Sequence, residues 1–283
     1  MSDRRVATYT DRVESAQSPV ARRLFELMTQ KETNLCVAVD ETDPGRFLSI
    51  VEAVGPHVAV LKTHIDTIEQ FSTKLTLELT GLAREHGFMI FEDRKFADIG
   101  QTVRNQYTKG AFSIIEWADI VNAHALPGPG IVQGLRTEVE VHDMLDRRGI
   151  LLLAQMSSAD NLLTADYTKR VVKMAKENAA FVLGFIGAGL KALPSLARQT
   201  PPGFIIFTPG VKIGGGSDAL GQRYASPEQL VDAGADVLIV GRGVWHDRKP
   251  GAKAKEYRER CWEAYRQRIA EPKVARETPK RKR

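Results

Sequence analysis

Cysteine is scarce: Cys36 and Cys261 are the only two in 283 residues. One lies in an apolar run and the other in a charged, helix-like stretch. Neither a disulfide framework nor a zinc-ligand spacing can be built from them, and both read as structural thiols. Long apolar runs are also missing. No stretch approaches the roughly 20 apolar residues of a membrane-spanning helix, and the opening MSDRRVATYTDRVES lacks the apolar centre of a secretory signal. The expectation is an intracellular, cytoplasmic protein with no membrane partner. A strong charge of one sign is absent from the body: of the formal +5, residues 271–283 carry +4, with six Lys or Arg against two Glu. A body near neutrality argues against nucleic acid as a partner. The closing PKRKR reads either as a solvated, disordered tail or as a nuclear-import or polyanion patch.

What is present is an ordinary globular composition, 43% hydrophobic and 27% charged. Short β-rich runs recur eight times: LCVAVD, VAVLKTHID, FMIFEDRKF, ADIVNAH, ILLLAQMS, FVLGFIG, FIIFTPGV and VLIVGRGV. Segments with helical spacing separate them at 44–54, 67–85, 101–112, 131–148, 167–178 and 227–233, with the weakest near 190–198, where Pro194 is expected to cut it. Near-continuous apolar strands alternating with helices predict a parallel sheet covered by helices. Eight units in this length predict an α/β fold of the closed (β/α)8 TIM-barrel type rather than an open sheet. Helical spacing around 20–30, with Pro19 near its start, predicts an N-terminal helical extension over 1–34; the barrel then spans 35–270 and a basic, disordered tail 271–283.

Polar residues fall where such a barrel keeps its active site. Asp40, Lys62 with His64, Asp93 with Lys95, Ser157, Pro209 and Arg242 all sit at or just past the C-terminal ends of predicted strands. The densest stretch is FEDRKFADIG at 91–100. On a strand, alternation sends Asp93 and Lys95 to one face and Glu92 and Arg94 to the other, with Asp98 in the loop beyond. The order acid, base, acid at 93, 95 and 98 predicts an ammonium held between two carboxylates, which favours its charged form. The plainer reading is a surface salt-bridge cluster.

The last strand runs into GRG at 241–243, where glycine lets backbone N–H groups approach an anion and Arg242 can grip it. Ahead of it lies PGVKIGGGSDALGQRYA, 209–225, glycine-rich and too long for a plain connection. It reads as a mobile lid, with Gln222 and Tyr224 at its far end, or as a disordered linker.

LKTHID, FEDRKFADIG, EWADIVNAH, TPGV, DALGQRY and VGRG, in this order, resemble the orotidine 5′-monophosphate decarboxylase family in its eukaryotic, fungal-like form. The resemblance spans roughly residues 20–270; the segment 188–203 and the tail depart from the pattern. It implies a barrel homodimer that converts orotidine 5′-monophosphate to uridine 5′-monophosphate and CO2, the last step of de novo pyrimidine synthesis, with no metal and no organic cofactor. Position by position it implies Lys95 as proton donor to the pyrimidine carbon and Asp93 as the acid beside the substrate carboxylate. Asp98 and Thr102 correspond to residues supplied by the partner subunit. Asp40, Lys62 and His64 correspond to groups near the ribose, Ser157 and Gln222 to pyrimidine contacts, and Gln222, Tyr224, Gly241 and Arg242 to the phosphate grip. No second catalytic domain is evident, so the chain is expected to be monofunctional.

The chemistry agrees. Loss of CO2 from a ring carbon without an adjacent electron sink leaves a localised carbanion, and a fixed ammonium both stabilises it and protonates it. Three rivals differ in what they ask of the same residues. A Mg²⁺-dependent sugar-phosphate enzyme would use the acids as metal ligands, against which the neighbouring lysines compete. A Schiff-base aldolase needs a neutral lysine, which flanking acids oppose. A non-catalytic phospho-ligand binder has no use for the acid–base array.

Overall fold

The computed structural model describes residues 4–158, 160–217 and 223–270. Eight strands, β1 (Leu35–Ala38), β2 (Val60–Thr63), β3 (Met89–Phe96), β4 (Ile120–Ala123), β5 (Gly149–Leu153), β6 (Val182–Ile186), β7 (Ile205–Thr208) and β8 (Val237–Val240), follow one another around a closed, parallel barrel. Every residue of β1, β4, β5 and β6 is buried. Such strands have helices on one side and the packed barrel interior on the other, which is why they are apolar throughout rather than alternating. The barrel expected from the sequence is the one observed.

The helices are α1 (Tyr9–Val13), α2 (Pro19–Lys31), α3 (Pro44–Val54), α4 (Thr73–His86), α5 (Gly100–Thr108), α6 (Gly130–Val141), α7 (Ala165–Glu177), α8 (Gly189–Gln199), α9 (Pro227–Ala233), α10 (Arg242–Trp245) and α11 (Pro250–Ala270). Ser18, Asp43 and Ser226 each accept an N–H from the first turn of the helix they precede, and each is followed by Pro. That combination fixes the start of α2, α3 and α9. Where caps lie elsewhere, the boundaries move: Ile65–Thr67 forms a separate 3-10 turn and Ser72 caps α4, so that helix begins six residues later than its periodicity suggests.

One expectation fails. Pro194 does not cut α8, which runs unbroken from Gly189 to Gln199. An internal proline costs about 3 kcal/mol, but Leu193, Leu196 and Ala197 are buried beneath the helix, and burying a leucine side chain returns roughly 1.5–3 kcal/mol. The 21-residue α11 was not separated from the rest of the barrel by periodicity; it packs on α3 and α9 through Ala254, Tyr257, Cys261 and Ala264.

The barrel interior and its N-terminal end share one apolar cluster, in which Cys36, Val60, Phe91, Leu151 and Phe207 continue into Tyr9, Leu24, Phe25 and Met28 of α1 and α2. These helices close the bottom of the barrel. Asp236, just before β8, is wholly buried there, with Arg12 at 2.6 Å and Arg4 also bonded to it. Burial raises its pKa, but the guanidinium groups overcome that and hold the carboxyl far below the usual range. The bottom is therefore sealed, and the mouth at the other end is where the chain keeps open polar space.

Candidate active site

The C-terminal ends of the strands converge on a cavity of about 750 Å³. Asp40, Lys62, Asp93, Lys95 and Ser157 line it, together with Pro209, Tyr224, Gly241 and Arg242. The strand-end rule thus brings together residues spread over some 200 positions of sequence.

At its floor, Asp93 is the hub. Its Oδ1 accepts Lys95 Nζ at 2.7 Å and Asn122 Nδ2 at 2.6 Å. Its Oδ2 accepts Lys62 Nζ at 2.9 Å and lies 3.1 Å from His64 Nε2. His64 Nδ1 reaches Asp40 Oδ1 at 2.8 Å, and Lys62 Nζ stands 3.9 Å from that oxygen. Lys62 is therefore the ammonium flanked by two carboxylates of its own chain. Burial works to raise the Asp93 pKa, yet the bonds from His64, Lys62 and Lys95 hold it far below the ordinary carboxylate range. For His64 burial lowers the pKa, but the hydrogen bonds to Asp40 and Asp93 outweigh it and raise it to about 9. The imidazole is thus a third cation at neutral pH. Of the two lysines, Lys62 keeps 7% of its side chain exposed and Lys95 38%, so Lys95 is the cation open to a ligand.

Strand β3 makes this possible by departing from regularity. Lys95 has φ of 49°, a left-handed conformation that costs a non-glycine residue roughly 1–2 kcal/mol. Asp93 and Lys95 still face the cavity together, as alternation predicts. Glu92 points the opposite way and is buried, accepting Thr63 Oγ1 at 2.6 Å and the N–H of Ile65. Burial pushes its carboxyl up to about 7.

Asp98 does not complete an acid–base–acid sandwich around Lys95 within its own chain. Its carboxylate accepts the N–H of Ile99 at 2.8 Å and Gln106 Nε2 at 3.3 Å, because the chain turns into α5 as soon as the strand ends. Thr102 is exposed on α5, and neither residue lines the cavity. Across the mouth, Arg242 Nη2 donates to Tyr224 Oη at 3.0 Å. The glycine-rich stretch begins with Gly210 at φ 81° and folds back as a short antiparallel pair, Gly216–Ser217 with Arg223–Tyr224. Gln222 lies outside the described residues, as does the tail from 271.

Sequence reasoning missed Asn122 and Gln155. Asn122 sits inside the apolar IVNA run at the C-terminal end of β4, the position that marked Asp93. Gln155 bonds Ala188 N and Ala192 O and anchors the chain beyond β6. A divalent ion in the cavity would have to displace Lys62 or His64 from Asp40 and Asp93. Among the described residues the group with metal-ligand spacing is Glu52, Glu85 and His86, none of which lines the cavity.

Residues 33–257 match the model of the "Orotidine 5'-phosphate decarboxylase / HUMPS family". The orotidine 5'-phosphate decarboxylase of Pichia kudriavzevii is 46% identical over 262 residues, covering 92% of this chain and 98% of that protein. The enzyme of the same name from Phycomyces blakesleeanus is 48% identical over 266 residues, covering 93% and 96%. Among solved structures, the orotidine 5'-monophosphate decarboxylase of Methanocaldococcus jannaschii, complexed with inhibitor BMP, superposes with a TM-score of 0.64 at 20% identity over 80% of this chain and 97% of that one, a likeness of fold. Identity near one half along almost the whole length, on a barrel with this cavity, places the chain in the orotidine 5′-phosphate decarboxylase family.

Proposed function

We propose that the chain decarboxylates orotidine 5′-monophosphate to uridine 5′-monophosphate, the UMP-forming step of pyrimidine synthesis. The observation that carries this is Lys95 Nζ on Asp93 Oδ1 at 2.7 Å, in a cavity that Arg242 and Tyr224 also line. The phosphate binds at Arg242, Tyr224 and Gly241, with Gln222, and the pyrimidine lies over Lys95 with Ser157 at its edge. Asp40, Lys62 and His64 take the ribose side.

In the reaction the bond between the ring carbon and the carboxylate breaks, CO2 leaves, and the electron pair stays on the ring carbon. Lys95 is already charged and fixed, so it meets the developing negative charge without reorganising and then transfers its proton to that carbon. Solvent restores the lysine proton. Asp93 serves chiefly by fixing both lysines. Such slow uncatalysed reactions ask for some 20 kcal/mol of barrier reduction. One proton donor contributes a factor of about 10² to 10⁴, so remote binding of the phosphate supplies much of the rest. Closure of the 209–225 segment as a lid serves that binding.

The site is completed in a homodimer, with Asp98 and Thr102 contributed across the interface, Asp98 to the acid–base array and Thr102 to substrate binding. Two features support this: Asp98 and Thr102 lie off their own chain's cavity, and Ile99 between them is 68% exposed, an apolar side chain suited to a subunit interface. The chain divides into the N-terminal arm, residues 1–34, the catalytic barrel, 35–270, and the basic tail, 271–283. The test is turnover of orotidine 5′-monophosphate in chelator-treated buffer, followed by its absorbance and by equimolar UMP and CO2. No turnover at all rules the assignment out, and activity abolished by chelation favours the metal-dependent rival.

A further inference from the structure

We propose that Asn122 is a positioning residue, whose amide locks the backbone of Lys95 and the carboxylate of Asp93 into one unit and so sets the proton donor. The proposal rests on the decarboxylase reading above. Strands β3 and β4 pair as Phe91 with Ile120 and Glu92 with Val121, then resume as Phe96 with Ala123. Three residues, 93 to 95, thus face Asn122 alone, and its side chain fills the gap in the ladder. Asn122 Oδ1 accepts the backbone N–H of Lys95 at 2.7 Å, and its Nδ2 donates to Asp93 Oδ1 at 2.6 Å. That oxygen is the one holding Lys95 Nζ at 2.7 Å.

The polarity of the amide is dictated by its partners. A backbone N–H requires an acceptor and a carboxylate requires a donor, so a flipped amide would meet both with the wrong group. Asn122 is 1% exposed, which leaves water little access to take over either role. The left-handed backbone at Lys95 turns its N–H away from regular strand pairing, and the amide oxygen supplies the acceptor that conformation needs. Without it Lys95 loses one of the constraints that aim its side chain, and misplacement by about 1 Å costs an enzyme on the order of 10²-fold.

The test compares wild type, Asn122→Ala and Asn122→Asp for kcat and KM on orotidine 5′-monophosphate, for UMP affinity, and for melting, across pH. Asn122→Ala removes both bonds; kcat is expected to fall at least about tenfold at every pH, with UMP affinity changed less than about threefold. Asn122→Asp keeps the shape and the acceptor but sets a second carboxylate against Asp93, so its kcat is lowest at high pH. It recovers relative to wild type as acid protonates the introduced carboxyl and restores a donor. The groups facing that position are Asp93 and Lys95 on β3, Lys62 and His64 at β2, Asp40 beyond them, and His124 after β4. On β5 the neighbour is Leu151. Because wild type shares every one of these, the ratio of variant to wild type isolates the new group.

A purely structural role would lower melting without a pH-dependent ratio. The proposal is overturned if wild type is active and Asn122→Ala keeps more than half its kcat, or if the Asn122→Asp ratio is flat with pH. If Asn122→Ala does not fold, the Asn122→Asp profile alone decides. Wild type without activity on this substrate overturns the decarboxylase reading first, and the proposal with it.

Discussion

Lys62 and Lys95 grip opposite oxygens of one carboxylate: Lys62 donates to Asp93 Oδ2 at 2.9 Å and Lys95 to Asp93 Oδ1 at 2.7 Å. Removing Lys95 leaves Asp93 with Lys62, His64 and Asn122, so the acid is not stranded. The two lysines are thereby separable in experiment, Lys62 being buried at 7% exposure and Lys95 open at 38%.

Arg242→Ala is expected to weaken phosphate anchoring and lower kcat/KM by roughly 10- to 10²-fold, the worth of one or two charge-assisted hydrogen bonds. The control is the nucleoside orotidine. If the variant loses as much activity on orotidine as on its monophosphate, Arg242 does not hold the phosphate.

His64 ties stability to pH. Its folded pKa of about 9 lies above the ordinary 6.5. The contribution is therefore complete below about pH 6.5 and is lost as pH rises through about 9. The melting temperature of wild type minus that of His64→Asn should shrink across that window. A difference that stays constant there would show that His64 is not the charged partner of Asp40 and Asp93.

Asp236→Asn leaves Arg12 and Arg4 buried without their counter-charge, and breaking such a pair costs about 3–5 kcal/mol. Urea denaturation should show a loss of that order. The lesion lies at the sealed end of the barrel, so kcat per folded molecule should be unchanged. A fall in kcat with little loss of stability would contradict this division of labour.

Much of this was legible in the sequence, for identifiable reasons. Strands buried on both sides must be apolar, and the polar residues that end several of them, such as Asp40, Lys62, Asp93 and Arg242, line the cavity at the barrel mouth. Helical spacing gave α3 and α9 to the residue, and the structure shows why those bounds hold: Asp43–Pro44 and Ser226–Pro227 cap them. What escaped depends on geometry beyond spacing. Asp98 stands in the expected loop, but the turn into α5 carries its carboxylate to Ile99 and Gln106 instead of Lys95. The bridging role of Asn122 arises from a register shift that no alternation rule contains. Helix α8 survives Pro194 through burial that composition does not display.

The proposal that the site is shared between subunits has its own test. When Lys95→Ala and Asp98→Ala chains are mixed and re-paired at random, half the dimers are mixed, and each of these holds one doubly damaged and one intact site. Activity should return to about one quarter of wild type. If Asp98 acts within its own chain, every site keeps a lesion and nothing returns, provided that tagged chains show exchange has occurred.

The most direct measurement is kcat of Lys95→Ala on orotidine 5′-monophosphate beside wild type, in metal-free buffer, with melting and UMP affinity as controls. With Lys95 as proton donor, the variant should fold, bind UMP, and fall more than about 10²-fold in kcat, the least that general-acid catalysis contributes. A folded variant that keeps more than about a hundredth of the wild-type rate would contradict the role given to Lys95.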